Sequence, residues 1–214
     1  MVAAAAIARA GGSHPPEVLM SAVRTLTLAD AAWPRAGTLL NLLLIVAASA
    51  LTAIAAQVAI PVSWSPVPIT GQTFAVLLSG ALLGPRRAFL AQALYLAEGA
   101  CGLPVFAGGA AGLAILAGPT GGYLAAFPFA AALTGFLAAR GWDRSVPAMA
   151  AAMLLGSVVI FATGLAWLSR FVPGPSLLSA GLLPFVPGDL VKTALAALAF
   201  PAAWRGLGRA TRDA

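Results

Sequence analysis

An aspartate and a lysine stand three residues apart in the stretch PFVPGDLVK, residues 184–192, inside sequence otherwise apolar enough for a membrane helix. Lys192 is the single lysine of the chain, against eleven arginines. At positions i and i+3 of a helix, Asp189 and Lys192 share one face. Each charge alone costs about 2.5 to 3.5 kcal/mol at a membrane-helix centre, and less near a helix start, where each partly neutralises the other. Two readings follow. The pair is self-contained, or Asp189 merely caps the helix after Pro187-Gly188. Alternatively, Lys192 offers its ammonium to an anionic ligand, Asp189 orients it or accepts ligand N–H groups, and the helix dipole adds to the attraction.

Other polar residues fall around this pair. Gln72, in PITGQTF, opens a helix where its amide can donate and accept, either to a ligand or to loop backbone. Gln92, Tyr95 and Glu98 form a polar stripe, and such a stripe on a membrane helix faces the bundle interior. Tyr123, after GPTGG, reads as an interfacial anchor or a pocket wall, with the anchor favoured. The remaining acids, Glu17, Asp30, Asp143 and Asp213, belong to arms and turns.

Catalysis has no candidates. No serine–histidine pairing lies in the apolar segments, there is no HExxH, and no two aspartates pair within a span. The lone His14 lies in the N-terminal arm, and the lone Cys101 allows neither an internal disulfide nor a thiolate metal cluster. The glycines of GLPVFAGGAAG follow no strand and precede no P-loop lysine, so they form no nucleotide site. The expectation is a non-enzyme with no metal and no cofactor; any ATPase is a separate polypeptide.

The elements that must position these residues are set by composition. The chain of 214 residues is 61% hydrophobic and 8% charged, whereas a soluble domain carries roughly a quarter charged residues. Too little polar surface remains to face water on all sides, so lipid is the solvent. The net charge of +6 does not signal nucleic acid, because the basic residues flank apolar runs without interleaved aromatics. A bilayer crossing needs about 20 residues. Six spans are predicted, at about 39–60, 70–83, 88–101, 120–139, 147–169 and 188–204. The second and third are short, and the arginines of GPRR between them forbid one continuous helix. The predicted fold is an all-α integral membrane bundle of six transmembrane helices, residues 37–205. A cytoplasmic arm (1–36, with a surface helix near 18–32) precedes it and a cytoplasmic tail (206–214) follows.

With the N-terminus inside, ten arginines fall on the cytoplasmic side and Arg170 alone outside, a strong positive-inside bias with both termini cytoplasmic. The outer segments are proline- and glycine-rich. Backbone freed from helical pairing is tolerable in lipid only where protein or a cavity satisfies it. The outer loops are therefore expected to cap a pocket. Ser49, Ala53 and Ala56, at i, i+4 and i+7, give the first helix a small-residue face, suited either to a partner subunit or to internal packing.

Four stretches, VPITGQTFAVLLSGALLGPR, LYLAEGACGLPVFAGG, GPTGGYLAAF and PFVPGDLVK, occur in an order and spacing that resembles the biotin-specific substrate-binding components of energy-coupling-factor vitamin transporters. The likeness runs from about Leu39 to Trp204. It implies biotin bound near the outer face of a bacterial inner membrane protein, with a transmembrane coupling subunit and cytoplasmic ATPases as partners. The first helix's small-residue face would then point to the coupling subunit. The resemblance carries Asp189 and Lys192 over as ligand-site residues, and Gln72, Tyr95, Gly122 and Tyr123 as pocket groups and walls. Gly71 stands where the family commonly has leucine, and Glu98 where apolar residues are usual. A binding component, or a stand-alone secondary transporter, for another small anionic vitamin is the competing expectation.

Overall fold

The structure, a computed structural model, describes residues 27–34 and 36–210. In chain order the elements are α1 (Leu28–Ala32), α2 (Thr38–Gln57), a hairpin of β1 (Ala59–Val62) and β2 (Ser65–Thr70), α3 (Gln72–Leu83) and α4 (Pro85–Ala100). They continue with α5 (Leu113–Ala117), α6 (Gly121–Ala139), α7 (Val146–Leu168), α8 (Leu177–Gly181) and α9 (Val186–Ala210). Of the surface helix expected near 18–32, only its last part, α1, falls among the described residues.

Among the described residues, four segments are long and apolar enough to cross a membrane: α2, α6, α7 and the stretch Gly174–Leu207 that contains α9. Two of the six expected spans are shorter. Helix α3 has 12 residues, about 18 Å at the helical rise against a hydrocarbon core of about 30 Å. Helix α4 has 16 residues and carries Arg86, Arg87, Gln92 and Glu98. The GPRR turn separates them as expected, with Gly84 at φ +79° and Pro85 opening α4.

Helix α6 is the core of the bundle, packing against α3, α4 and α7, while α2 lies on α4 and α9 on α7. Two-thirds of α6 is buried, against about a fifth of α2. The outer faces of α2 and α9 expose Leu42, Leu43, Val46 and Ile54, and Leu190, Val191, Leu195 and Leu198. Such surfaces are stable only out of water, against lipid or another polypeptide. Glycines let the central helices meet. A Cβ at Gly80 would lie 2.5 Å from the Ala131 carbonyl oxygen, so α3 and α6 cross backbone to backbone.

The proline-rich segment after α2, read from sequence as a loop, is a two-stranded antiparallel hairpin pairing Ala59 with Thr70 and Ile60 with Ile69. Both strands are edges, which is why Pro61, Pro66 and Pro68 fit: each leaves unmade only a bond that an edge need not make.

At the opposite end of the bundle, α1 is pinned by charge. Thr27 and Asp30 form a capping box, and the Asp30 carboxylate also accepts from the Arg87 guanidinium. Burial raises the Asp30 pKa, but the bonds from Arg87 and Thr27 outweigh it and hold the carboxyl below its usual 3.8. A carboxyl depressed on folding adds stability above its unfolded pKa, lost as pH falls through the folded value. Amides of Leu28–Ala32, corrected for intrinsic exchange, should therefore stay protected at neutral pH and lose protection below about pH 3.8. Arg87→Ala should remove that protection at neutral pH; unchanged exchange in the variant would show that α1 docks by its apolar contacts alone.

Candidate functional site

The hairpin, the start of α3, the chain between α4 and α6, the upper parts of α6 and α7, and the start of α9 converge on a cavity of about 310 Å³. Its walls are mainly apolar, and Phe106, Phe127, Phe161 and Phe185 line it together with Tyr123. Asp189 and Lys192, Gln72 and Tyr123 all line it, so the structure brings together four of the six residues singled out from sequence.

Lys192 reaches back from α9 to the hairpin–α3 junction. Its Nζ donates to the Thr70 carbonyl oxygen at 2.8 Å and to Thr73 Oγ1 at 3.0 Å. An ammonium has three donors, so one N–H remains for a ligand in the cavity. Asp189 is held separately: its Oδ1 accepts from Ser157 Oγ of α7 at 2.9 Å. The two side chains make no ion pair within 4.0 Å of each other. The self-contained pair is thus not what forms, and the capping reading of Asp189 yields to a bond across to α7. Separate neutral partners leave the cation free to meet a carboxylate.

Gln72 is fixed from both ends. Its Oε1 accepts from Thr70 Oγ1 at 2.9 Å and its Nε2 donates to Tyr95 Oη at 2.7 Å. Tyr95 is fully buried and stands behind the cavity wall, donating to the Val105 carbonyl oxygen at 3.0 Å. It therefore positions Gln72 and does not itself face the cavity. Thr70 links the two polar corners, because its side chain holds Gln72 and its carbonyl holds Lys192.

Tyr123 is buried, and its hydroxyl donates to the Gly181 carbonyl oxygen at 2.8 Å, tying α8 to α6. The anchor role favoured from sequence is replaced by a wall role, because the ring is enclosed by the cavity-end segments. Gly122 lies on the other side of α6. A Cβ there would stand 2.2 Å from Trp167 Cβ, so this glycine lets α7 approach and has no place on the cavity wall.

The small-residue face of α2 is turned inward. Ser49 and Ala56 are fully buried and Ala53 is partly covered. Ser49 Oγ donates to Glu98 Oε2 of α4 at 2.6 Å. The partner surface expected there is occupied by the chain's own α4, because small side chains let those two helices close on each other. The same bond accounts for Glu98 in an apolar position. Gln92 completes the stripe, donating to Thr52 Oγ1 at 3.1 Å and Ser79 Oγ at 3.0 Å. Gly71 likewise packs the start of α3 against α2, its N–H bonding the Ala55 carbonyl oxygen at 3.2 Å.

Sequence reasoning missed Ser157, Thr70 and Thr73. Ser157 had one visible signal, a polar residue in the apolar run of α7, but nothing in the sequence aimed it at a residue 32 positions away.

The fold and this cavity define a multi-pass membrane protein with a small-molecule pocket at one end, lined by phenylalanines and holding one cation and one carboxylate. Residues 25–209 match the sequence model of the BioY family, and the chain belongs to that family. A probable biotin transporter BioY of Pyrococcus horikoshii is 42% identical over 149 residues, 70% of this chain and 86% of the relative. The biotin transporter BioY of Rhizobium etli is 38% identical over 148 residues, 65% of this chain and 79% of the relative. Among solved structures, a crystal structure at 2.1 Å of the S-component for biotin from an ECF-type ABC transporter superposes with a TM-score of 0.67 and 29% identity. That match covers 77% of this chain and 90% of the solved one.

Proposed function

We propose that the chain binds biotin in this cavity and mediates its uptake, as the substrate-specific component of an energy-coupling-factor transporter. The observation that carries the reading is Lys192, whose ammonium enters a largely apolar cavity of about 310 Å³ beside Asp189, which is held by Ser157. Biotin has a compact apolar bicycle, a ureido group that donates and accepts, and a carboxylate tail. An apolar pocket with a few placed polar groups and one cation suits that chemistry. The carboxylate meets Lys192, the bicycle packs among the phenylalanines, and the ureido edge bonds Asp189, Gln72 or the Thr120 region.

In this reading α2, α6, α7 and α9 cross the membrane and the shorter α3 and α4 lie in it with them. The hairpin, the 102–118 segment and α8 cap the pocket on the outer side, and both termini are cytoplasmic. The arginine-rich end, with Arg86, Arg87, Arg140, Arg144 and Arg205, supports this orientation through the positive-inside rule. A coupling subunit and ATPases complete the transporter. With Ser49 and Ala56 buried, the exposed part of α2 available to a coupling subunit is its leucine-rich outer face.

Purified protein in detergent should bind biotin saturably, and an excess of other carboxylate-bearing vitamins should fail to displace it. Absence of saturable binding by folded protein overturns the proposal. Displacement by another vitamin keeps the pocket and reassigns the ligand.

A further inference from the structure

A second concavity lies on the opposite face of α6 from the cavity. It is a furrow of about 280 Å³ between the start of α6 and the end of α7. Small side chains on both helices open it, Ala125 on α6 and Thr163 and Ala166 on α7, with Gly122 at its floor, where the helices touch, and Leu116 and Trp167 as walls. Ala125, Thr163 and Ala166 are exposed along its length. Its cavity-end rim is Arg170, whose guanidinium lies over the Trp167 ring at 4.4 Å. Trp167 is itself fixed, its indole Nε1 donating to the Gly118 carbonyl oxygen at 2.9 Å.

Arg170 is exposed, and among the described residues no carboxylate lies within 4.0 Å of it. It is also far from the other arginines of the bundle, which gather at the opposite end. An apolar furrow running along the bundle and ending in an unneutralised cation matches an acyl chain joined to a phosphate. We propose that this furrow is a site for an anionic phospholipid, with the phosphate on Arg170 and one acyl chain over Ala125, Thr163 and Ala166.

The experiment uses the full chain in lipid nanodiscs and reads tryptophan quenching by brominated lipids, with Trp167→Phe identifying the share that belongs to Trp167. Brominated phosphatidylglycerol, present as a minor fraction, should occupy the site about fivefold more than brominated phosphatidylcholine, the preference one arginine confers for anionic lipid. Arg170→Gln should abolish that preference, and Ala166→Leu, which fills the furrow from an exposed position, should reduce quenching by both lipids. Equal quenching by the two headgroups in the unaltered protein overturns the proposal and leaves lipid as mere solvent. A preference that survives Arg170→Gln overturns it too, because the headgroup then sits elsewhere. Trp167 shielded from every brominated lipid would mean that another polypeptide covers the furrow, which also refutes it. Biotin binding serves as the independent fold control, so failure here is distinguishable from failure of the ligand assignment.

Discussion

Replacing Lys192 by alanine should weaken biotin binding by about 2 to 5 kcal/mol, the cost of leaving a desolvated carboxylate without its cation. The geometry supports the upper part of that range. Lys192 is the basic side chain that lines the cavity, and its ammonium is already oriented by Thr70 and Thr73. Little ordering remains to be done when a carboxylate arrives, so the interaction is expressed almost fully in affinity. Lys192→Arg is the informative companion. Arginine keeps the charge but replaces a compact ammonium with a planar fork that the Thr70–Thr73 corner does not match, so it should recover only part of the loss. Titration calorimetry on detergent-purified variants checks both, with thermal unfolding to confirm the fold. Unchanged affinity in Lys192→Ala would remove the carboxylate from this corner of the cavity.

The second large effect is on stability. A Cβ added at Gly135 would lie 2.6 Å from the Gly84 carbonyl carbon, 2.7 Å from the Gly80 oxygen and 2.8 Å from the Pro85 nitrogen. Every one of these neighbours is backbone, at the corner where α3 turns into α4 against α6. No side chain can swing aside, so Gly135→Ala must separate the helices, at about 1 to 3 kcal/mol or more. Gly206→Ala is the matched control, since nothing lies within 4 Å of its added Cβ. It should be neutral or gain up to about 1 kcal/mol from helix propensity. Thermal unfolding in one detergent compares the two. Equal midpoints would mean that the α3–α4 corner yields more easily than its backbone packing implies.

Several features were legible in the sequence for physical reasons that need no tertiary information. Lipid as the solvent follows from too few polar residues to cover a surface. The turn between α3 and α4 follows from two arginines that cannot sit at mid-bilayer. The inward-facing stripe follows from helical spacing, and Gln92 and Tyr95 are indeed fully buried. The importance of Asp189 and Lys192 was visible because ionisable groups are so costly in apolar sequence that each one invites an explanation.

Other assignments went astray wherever the deciding neighbour is distant along the chain. Ser49 and Ala56 have the composition of an intersubunit face, yet both are buried within the chain's own bundle, Ser49 against Glu98 of α4. Gly122 and Tyr123 are adjacent in sequence but fall on different sides of α6, one toward the furrow and one toward the cavity, since successive helical residues diverge by about 100°. The hairpin escaped notice because prolines disguise strands that are edges on both sides.

What the sequence determined by itself, then, is the solvent, the helical segments and the two charges that needed a purpose, all of them consequences of composition and local period. The tertiary structure alone decided what those charges meet. Lys192 finds Thr70 across 122 positions and Asp189 finds Ser157 across 32. Such pairings depend on which helix packs beside which, and the backbone contacts at glycines such as Gly80 and Gly135 settle that neighbourhood.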